Sequence, residues 1–494
     1  MSDSFDVIVL GSGFGGTLLG SILCRMGYTV AILDRATHPR FAIGESSTPA
    51  ADLIFRDLCR RYDLTELLPL TRYGTWKQSF PQVTCGRKRG FSYFHHTPNR
   101  PFCSDQGNTN QLMVAASSDD LKCDMHWYRP ETDQMFAEFV RQQGGQLIEG
   151  AEIAGLIKRP QGWTISLAEP GSRSLTCQML VDASGSSQLL CNQLGIEDRT
   201  SQLRTESRTV YTHLGQVGRW HDILAEQRAT AQHPFDCDAA AQHHLLDEGW
   251  LWLLNFDNEV TSVGLCFDET SAVQSSADGD GFWKVVRRYP DLNRLFSQAV
   301  LADVPGCWYT TSRMQRLRAA ATGVDWVALP HSVGFVDPLH STGIALTMHS
   351  IDRIAAAMAP GLSRDQRDVR MAAYEVELLE AFRWIDQLVW MCYQSRRDPD
   401  LFHAATMLYF SAVVNYEGRR QRGEHCEFLC ADWKPIRLAA SGVLDAFRQL
   451  GTTGERRQLT QQVLDLIEPL TDVGLGESAA SRMYWHTSCD VDGE

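Results

Sequence analysis

No apolar run in the 494-residue chain approaches the roughly 20 residues that a bilayer-spanning helix requires. No membrane segment is therefore expected. Basic charge is also short: 46 Lys and Arg stand against 60 Asp and Glu, a formal net charge of −14. Neutralising nucleic-acid phosphates needs a cationic field, so a nucleic-acid partner is excluded. The 14 cysteines include no C-x-x-C pair. Those in apolar contexts, such as Cys24, Cys266 and Cys392, read as buried free thiols. His425, Cys426 and Cys430 in "EHCEFLC" come nearest to a metal pattern, but no second ligand pair follows at a zinc-like spacing, and no metal is expected. Ser2, Asp3 and Ser4 lead into a strand without the basic and apolar regions of a secretory signal, so the expected location is cytoplasmic. There is no internal repeat and no low-complexity linker. What remains, 44% hydrophobic and 21% charged residues, suits a soluble enzyme-sized chain of two or three packed subdomains and a small-molecule partner.

The most informative local pattern is "FDVIVLGSGFGGTLLGSILCRMGYTVAILDR". An apolar run, Val7 to Leu10, precedes Gly11, Gly13 and Gly16 in G-x-G-x-x-G. Leu18, Leu19, Ile22 and Leu23 then recur at helical spacing, and a second apolar run closes at Asp34. The first glycine permits the tight turn, the second lets backbone approach a pyrophosphate, and the third lets helix and strand pack closely. The N–H groups of the helix start face the phosphates, and Asp34 is placed to accept from a ribose hydroxyl. The motif alone does not separate FAD from NAD, and no second G-x-G-x-x-G follows.

A loop, "HPRFAIGESSTPA", comes next. Pro130 then opens a helix with Met135, Phe136, Phe139 and Val140 on its apolar face. The strand "GQLIEG" follows, then three strands with turns at "RPQG" and "EPGS" that read as a β-meander. "CQMLVDASG" returns to the nucleotide-binding domain. The expected organisation is a doubly wound, Rossmann-like FAD domain over 1–204 with inserted substrate-side segments and an antiparallel-sheet substrate domain over 205–320. A return to the first domain over 321–360 and a C-terminal helical region over 361–494 complete it. The end, "SCDVDGE", is expected to fray.

"CGRKRGFSYFHH", residues 85–96, joins a basic cluster to an alternating aromatic strand. Lys88 is expected near the start of that strand, and by itself the cluster reads as solvated charge. Other segments change that. "GSGFGG", "IGESSTP", "KRGFSYF", "VDASG", "GWLWLL" and "GFVDPLHSTG" occur in order between residues 11 and 343, and together they resemble the flavin-dependent halogenases. The likeness covers about the first 400 residues and is greatest to the phenol-type members, with Leu329 and Pro330 where many relatives carry Gly-Asp.

The resemblance implies that FAD, used as FADH2, activates oxygen so that chloride or bromide is oxidised to hypohalous acid. That acid passes to Lys88, whose ammonium polarises it or whose amine forms a haloamine. Arg87 and Arg89 are expected at the surface. Trp250 and Trp252 match the family's W-x-W-x-I-P and would separate flavin from substrate, with Leu254 and Asn255 departing from that pattern. The implied cofactor contacts are Gly11, Gly13, Phe14, Gly15, Gly16, Asp34, Arg35, Glu45, Arg129, Asp182, Gly185 and Asp337, with Asp133 near the flavin. Ser341, Thr342 and Gly343 would cradle the halide, and Ser341 also suits a helix cap. His340 stands where tryptophan halogenases carry glutamate, which argues for an ionisable phenol over tryptophan. The implied partners are a small aromatic substrate and a separate flavin reductase, and a carrier-tethered substrate stays open. Two alternatives remain at this point: a flavin hydroxylase on the same fold, and a nucleotide-binding module without turnover.

Overall fold

The computed structural model describes residues 3–168, 173–269, 271–273, 278–476, 481–485 and 487. The expected turn at 169–172 and the expected frayed end at 488–494 lie outside them.

Val7 to Leu10 are buried on both faces of β1 (Ser4–Leu10), which explains why this strand is a continuous apolar run. It pairs in parallel with β2 (Val30–Asp34) on one side and β10 (Ser174–Asp182) on the other. Beyond β2 lies β7 (Gln146–Glu149), and beyond β10 lies the strand Trp326–Ala328, both parallel. Helix α1 (Phe14–Arg25) makes the first crossover. β8 (Ile153–Lys158) and β9 (Trp163–Leu167) form an antiparallel meander into β10, as the turn chemistry suggested.

A second sheet orders β11 (Ser207–Gly215), β14 (Val260–Asp268), β13 (Gly249–Asn255), β12 (Ala241–Leu246), β4 (Gly90–His95) and β5 (Gln111–Ala115) side by side. Among these six strands the pairings are antiparallel except where β12 runs parallel to β4, with Ala241 opposite Phe91. Strands from residues 90–115 and from 207–268 thus share one sheet.

The position of Lys88 differs from expectation. It ends a separate short strand, β3 (Cys85–Lys88), which pairs antiparallel with β6 (Asp124–Trp127) and sets Lys88 opposite Asp124. The chain turns at Arg89 before the aromatic strand begins, because Arg89 N–H is bound by Ala239 O at 2.7 Å. Arg89 is also no free surface charge. Its guanidinium reaches Asp120 at 2.8 Å and the carbonyls of Ser117 and Ser118, whereas Arg87 pairs with Asp120 from an exposed position.

Helix α2 (Pro49–Arg61) starts with Thr48 accepting from Ala51 N–H at 3.3 Å. Two long helices follow the helix Thr342–Ala357: Arg364–Ser395 packs against it, and Pro399–Gln421 packs against Arg364–Ser395 and α2. In the second of the two, Tyr409, Val413 and Glu417 recur every four residues and so share a face.

Candidate active site

Two positions of the turn after β1 cannot carry a side chain. Gly11 has φ +109°, and a Cβ there would lie 2.4 Å from Ala183 O; one at Gly16 would lie 2.2 Å from Gly11 O. Gly13 caps α1 without a side-chain bond, leaving the helix N–H groups open. Its outer side faces two cations and the carboxylate they share, with the Cβ direction 3.5 Å from an Arg129 nitrogen, 3.8 Å from Asp133 Oδ2 and 3.9 Å from an Arg40 nitrogen. Bare N–H groups beside two guanidiniums fit a pyrophosphate. Gly15 packs towards Thr347, and Phe14 lies edge-on to Trp127 at 5.3 Å and beneath Arg129.

Asp34 accepts from Ser12 N–H at 2.8 Å, Ser12 Oγ at 2.7 Å, Ala36 N–H at 2.9 Å and Arg40 at 3.1 Å. Burial pushes its carboxyl up, but Arg40 and these donors outweigh it, and its pKa lies below the usual value. Arg35 beside it is exposed. Arg129 grips Asp133 through two bonds of 2.7 and 2.8 Å and holds the carbonyls of Ile43 and Gly44 at 3.0 and 2.9 Å. That clamp presents Glu45, which is buried. Its Oε1 is 2.7 Å from His213 Nε2, while Oε2 is buried with no partner. An unsatisfied buried acceptor beside the glycine turn is a place for a donor from a bound group.

Asp182 and Asp337 both turn inward. Asp182 accepts from Ser184 N–H, Ser184 Oγ and Leu190 N–H at 2.6–2.9 Å, closing the loop that holds Gly185. Asp337 accepts from Leu339 N–H at 2.9 Å and Tyr393 Oη at 2.7 Å, and burial raises its pKa to about 7. Both carboxylates are engaged by groups of the protein. Ser341 corrects a second expectation. It stands at the N-cap of the helix Thr342–Ala357 with φ +55°, and its side chain makes no capping bond. Such a left-handed residue costs about 1–3 kcal/mol and is commonly found where a loop is shaped for function. Thr342 and Gly343 open the helix directly after it.

Trp250 is buried, donates to Tyr393 Oη at 2.9 Å, and through it reaches the Asp337 loop; Trp252 donates to Ser262 Oγ at 3.3 Å. His243 packs between Trp250 and Tyr93, with ring centroids 5.4 and 4.5 Å away. Tyr93 Oη meets His340 Nδ1 at 2.9 Å, and His340 stacks on Tyr409 at 4.1 Å. Burial holds His340 well below its ordinary pKa, so it is neutral. Asn255 lies at the far end of β13, donating to Asp238 O at 3.0 Å and accepting from Thr261 Oγ1 at 2.9 Å.

A pocket opens beside His340 and Tyr409. His340 and Thr342 line it at the loop, Thr48 and Phe91 line it elsewhere, and Tyr409, Val413 and Glu417 face it from the helix Pro399–Gln421. It is apolar with few polar groups, the usual character of a small-molecule site. Lys88 is fully buried just behind this wall, its Nζ 4.1 Å from the centroid of the Phe91 ring and donating to Ser47 O. Burial lowers its pKa to about 8, opposed by the charges of Asp124 and Asp52. Both carboxyls are themselves pushed up by burial, and Ser47 Oγ donates to Asp52 Oδ1 at 2.6 Å. Asp124 Oδ2 and Asp52 Oδ2 have no other partner, and the two acids interact, which suits one shared proton.

Asp52, Asp124 and Glu417 were not found by reading the sequence. The acids around Lys88 come from α2 and β6, and only the β3–β6 register brings one of them opposite. Glu417 left a faint signal, a carboxylate after the apolar run Leu408–Val414 within one helix. His425, Cys426 and Cys430 form no ligand cluster among the described residues.

A glycine-rich dinucleotide turn on a parallel sheet, a second sheet, and an apolar pocket beside a buried lysine fit an oxidoreductase that holds a dinucleotide cofactor. The family model described as tryptophan halogenase matches residues 109–408, and the chain belongs to that family. It is a flavin-dependent halogenase with FAD as cofactor and a halide as co-substrate. The chain is 29% identical over 422 residues to the tetracycline 7-halogenase of Kitasatospora aureofaciens, covering 83% of this chain and 73% of that one. It is 27% identical to the monodechloroaminopyrrolnitrin halogenase PrnC of Pseudomonas fluorescens, over 84% and 72%. The crystal structure of halogenase PltM in complex with phloroglucinol and FAD shares the fold, with a TM-score of 0.86, 24% identity and coverage of 97% and 99%.

The glycine turn gives a direct prediction. Gly16→Ala is expected to yield protein without flavin, because the new Cβ displaces the Gly11 carbonyl from the turn. Flavin absorbance after gel filtration measures it, and wild-type FAD retention would refute the role given to this turn.

Proposed function

We propose that this halogenase acts on a phenolic arene, with Lys88 presenting the hypohalous acid and Glu417 accepting from the substrate hydroxyl. The observation that carries this is the pocket, lined by Thr342 and His340, by Glu417, and by Phe91, behind which Lys88 lies. Gly11, Gly13 and Gly16, with Arg40 and Arg129, would hold the cofactor pyrophosphate, and Arg129 with Asp133 would set the loop carrying Glu45. Bound FADH2 with oxygen supplies the oxidising equivalent that turns halide into hypohalous acid. The chain does the rest. The N–H groups of Thr342 and Gly343 favour an anion at the helix start. Trp250, tied through Tyr393 to the Asp337 loop, and Trp252 beside it would form a wall that keeps oxygen transfer away from the arene.

Lys88 has three N–H donors and spends one on Ser47 O. A swing past Phe91 brings the others to hypohalous acid, polarising it so that the ring carbon takes the halogen. The hydroxide leaves as water with the proton that the ring releases. Glu417 raises electron density on the ring by holding the phenol hydrogen, the assistance an unactivated indole would need at the position of His340. A separate flavin reductase would supply FADH2.

The test is a reductase-coupled reaction with FAD, NADH, oxygen and chloride or bromide, offered phenols, indoles, pyrroles and carrier-tethered pyrrole, and read by mass spectrometry. Phenols should show a halogen isotope doublet. Product only from pyrroles or a carrier-bound substrate would overturn the phenolic reading, and a gain of one oxygen without halide would overturn the proposed direction of transfer. Glu417→Gln is expected to lower kcat/KM for a phenol about 10–100-fold and to leave its O-methyl ether nearly unchanged, since a hydrogen bond to a charged acceptor is worth about 1.5–3 kcal/mol. Equal losses on both compounds would remove Glu417 from substrate recognition.

A further inference from the structure

We propose that His221, His233 and Cys237 form a structural site for a zinc-class divalent metal, with the Asp236 carboxylate as fourth ligand. One ligand atom from each of the first three lies within 4.8 Å of the others. Cys237 is fully buried and opens the single helical turn Cys237–Ala239, while His221 belongs to the helix Trp220–Glu226.

The hydrogen bonds around His233 decide its tautomer. Gln111 Nε2 points at Ser104 Oγ and Ala229 O, and a carbonyl can only accept, so the Gln111 amide nitrogen lies on that side. Gln111 Oε1 is therefore the acceptor for His233 Nε2, 2.9 Å away, and His233 carries its proton there. Nδ1 is left with a bare lone pair, buried and without a partner. An imidazole that donates through one nitrogen and directs the other inward is the usual arrangement of a metal-binding histidine. His221 Nδ1 is likewise buried without a hydrogen-bond partner, 3.4 Å from Asp236 Oδ1.

Thiolate with two imidazoles suits zinc over the hard cations. Tetrahedral bonds of about 2.0–2.3 Å put ligand atoms roughly 3.3–3.7 Å apart, so an adjustment of about 1 Å closes the site. The half-exposed His221 can make it. Asp236 Oδ2 pairs with Arg219, while Oδ1 accepts from Asp238 N–H at 3.0 Å and keeps a lone pair for the metal. Without a metal, burial and the neighbouring Asp238 and Asp236 hold the Cys237 thiol protonated.

The site would fasten a segment on which the active site leans. Ala239 O binds Arg89 N–H immediately after Lys88, Ala240 O is 3.3 Å from His126 Nε2, and Asp238 O accepts from Asn255. Asn255, where the family pattern has proline, thus belongs to this support. The sequence suggested no metal, because H-x11-H-x3-C lacks the paired spacing of familiar zinc motifs; folding supplies the proximity.

The full chain, purified without chelator and with FAD bound, is assayed for metal by mass spectrometry and then exchanged with Co2+. About one zinc per chain is expected, with a thiolate-to-cobalt charge-transfer band. Cys237→Ser should lose the band, and His221→Ala should weaken Co2+ binding by about 100-fold, both with flavin absorbance retained. If Cys237→Ser does not fold, the half-exposed His221 position decides the matter alone. Metal content unchanged in His221→Ala, a cobalt spectrum without thiolate character, or no uptake from zinc-supplemented buffer would each overturn the proposal, the last meaning that water satisfies the two imidazoles.

Discussion

Lys88→Ala is expected to reduce halogenated product by at least about 10³-fold while FAD remains bound. Lys88 lies outside the glycine turn and the Arg129 clamp, so the variant should still consume oxygen and oxidise halide. Hypohalous acid would then escape to solution, where an added thiol or amine scavenger traps it. The ratio of scavenged halogen to halogenated phenol is the informative measurement. It should be small in the wild type and large in Lys88→Ala. The substitution also leaves Asp52 and Asp124 without the buried ammonium, and breaking a buried charge cluster on one side costs about 3–5 kcal/mol. Lys88→Met removes the same charge but keeps the volume beside Phe91, so it adds no cavity to that cost. It should melt closer to the wild type yet remain inactive. Full product formation by the Met variant would show that no ammonium is needed there.

How much of this was readable beforehand depended on range along the chain. The turn at Gly11 to Gly16, the capping by Asp34 at the end of β2 and the apolar face of the helix after Pro130 arise within about 30 residues, where spacing and chain geometry determine one another. The meander of β8, β9 and β10 was legible for the same reason. Orientation was not. Asp182 and Asp337 sit in recognisable segments, but whether a carboxylate faces a ligand or its own loop depends on neighbours such as Ser184 and Tyr393. Ser341 has the composition of a helix cap and the wrong backbone for one, since φ +55° directs its side chain away from the first turn. Lys88 was found by resemblance, whereas its chemistry comes from residues 36 positions away in either direction: Asp52 on α2 and Asp124 on β6. A run of basic residues in a sequence reads as solvated charge. Here the middle one is completely buried, because its two neighbours pair with Asp120 on the outside while β3 turns Lys88 inward.

Those two acids lead to the second large effect, in the dependence of rate on pH. If the ammonium is the working form, kcat is level below the Lys88 pKa of about 8 and falls as pH rises through it. If the neutral amine were the working form and carried the halogen as a haloamine, the rate would rise through the same region instead. The bond to Ser47 O and the nearby carboxylate charge favour the ammonium, and a falling limb is expected. Asp124→Asn removes the larger of the charges that raise the Lys88 pKa, leaving burial less opposed. The limb should therefore move to lower pH by about one unit or more, and activity at pH 8 should drop about fivefold or more while activity at pH 6 changes little. Asp52→Asn should act in the same direction and less strongly, because its charge contributes second. The movement is measurable without product chemistry, by following the pH dependence of Lys88 labelling with an amine-selective reagent in the full chain with FAD bound. Because deprotonation exposes the nucleophile, labelling should begin at lower pH in Asp124→Asn. A limb that stays in place in both acid variants would detach the buried pair from Lys88 and leave Asp124 a role only in closing β3 against β6.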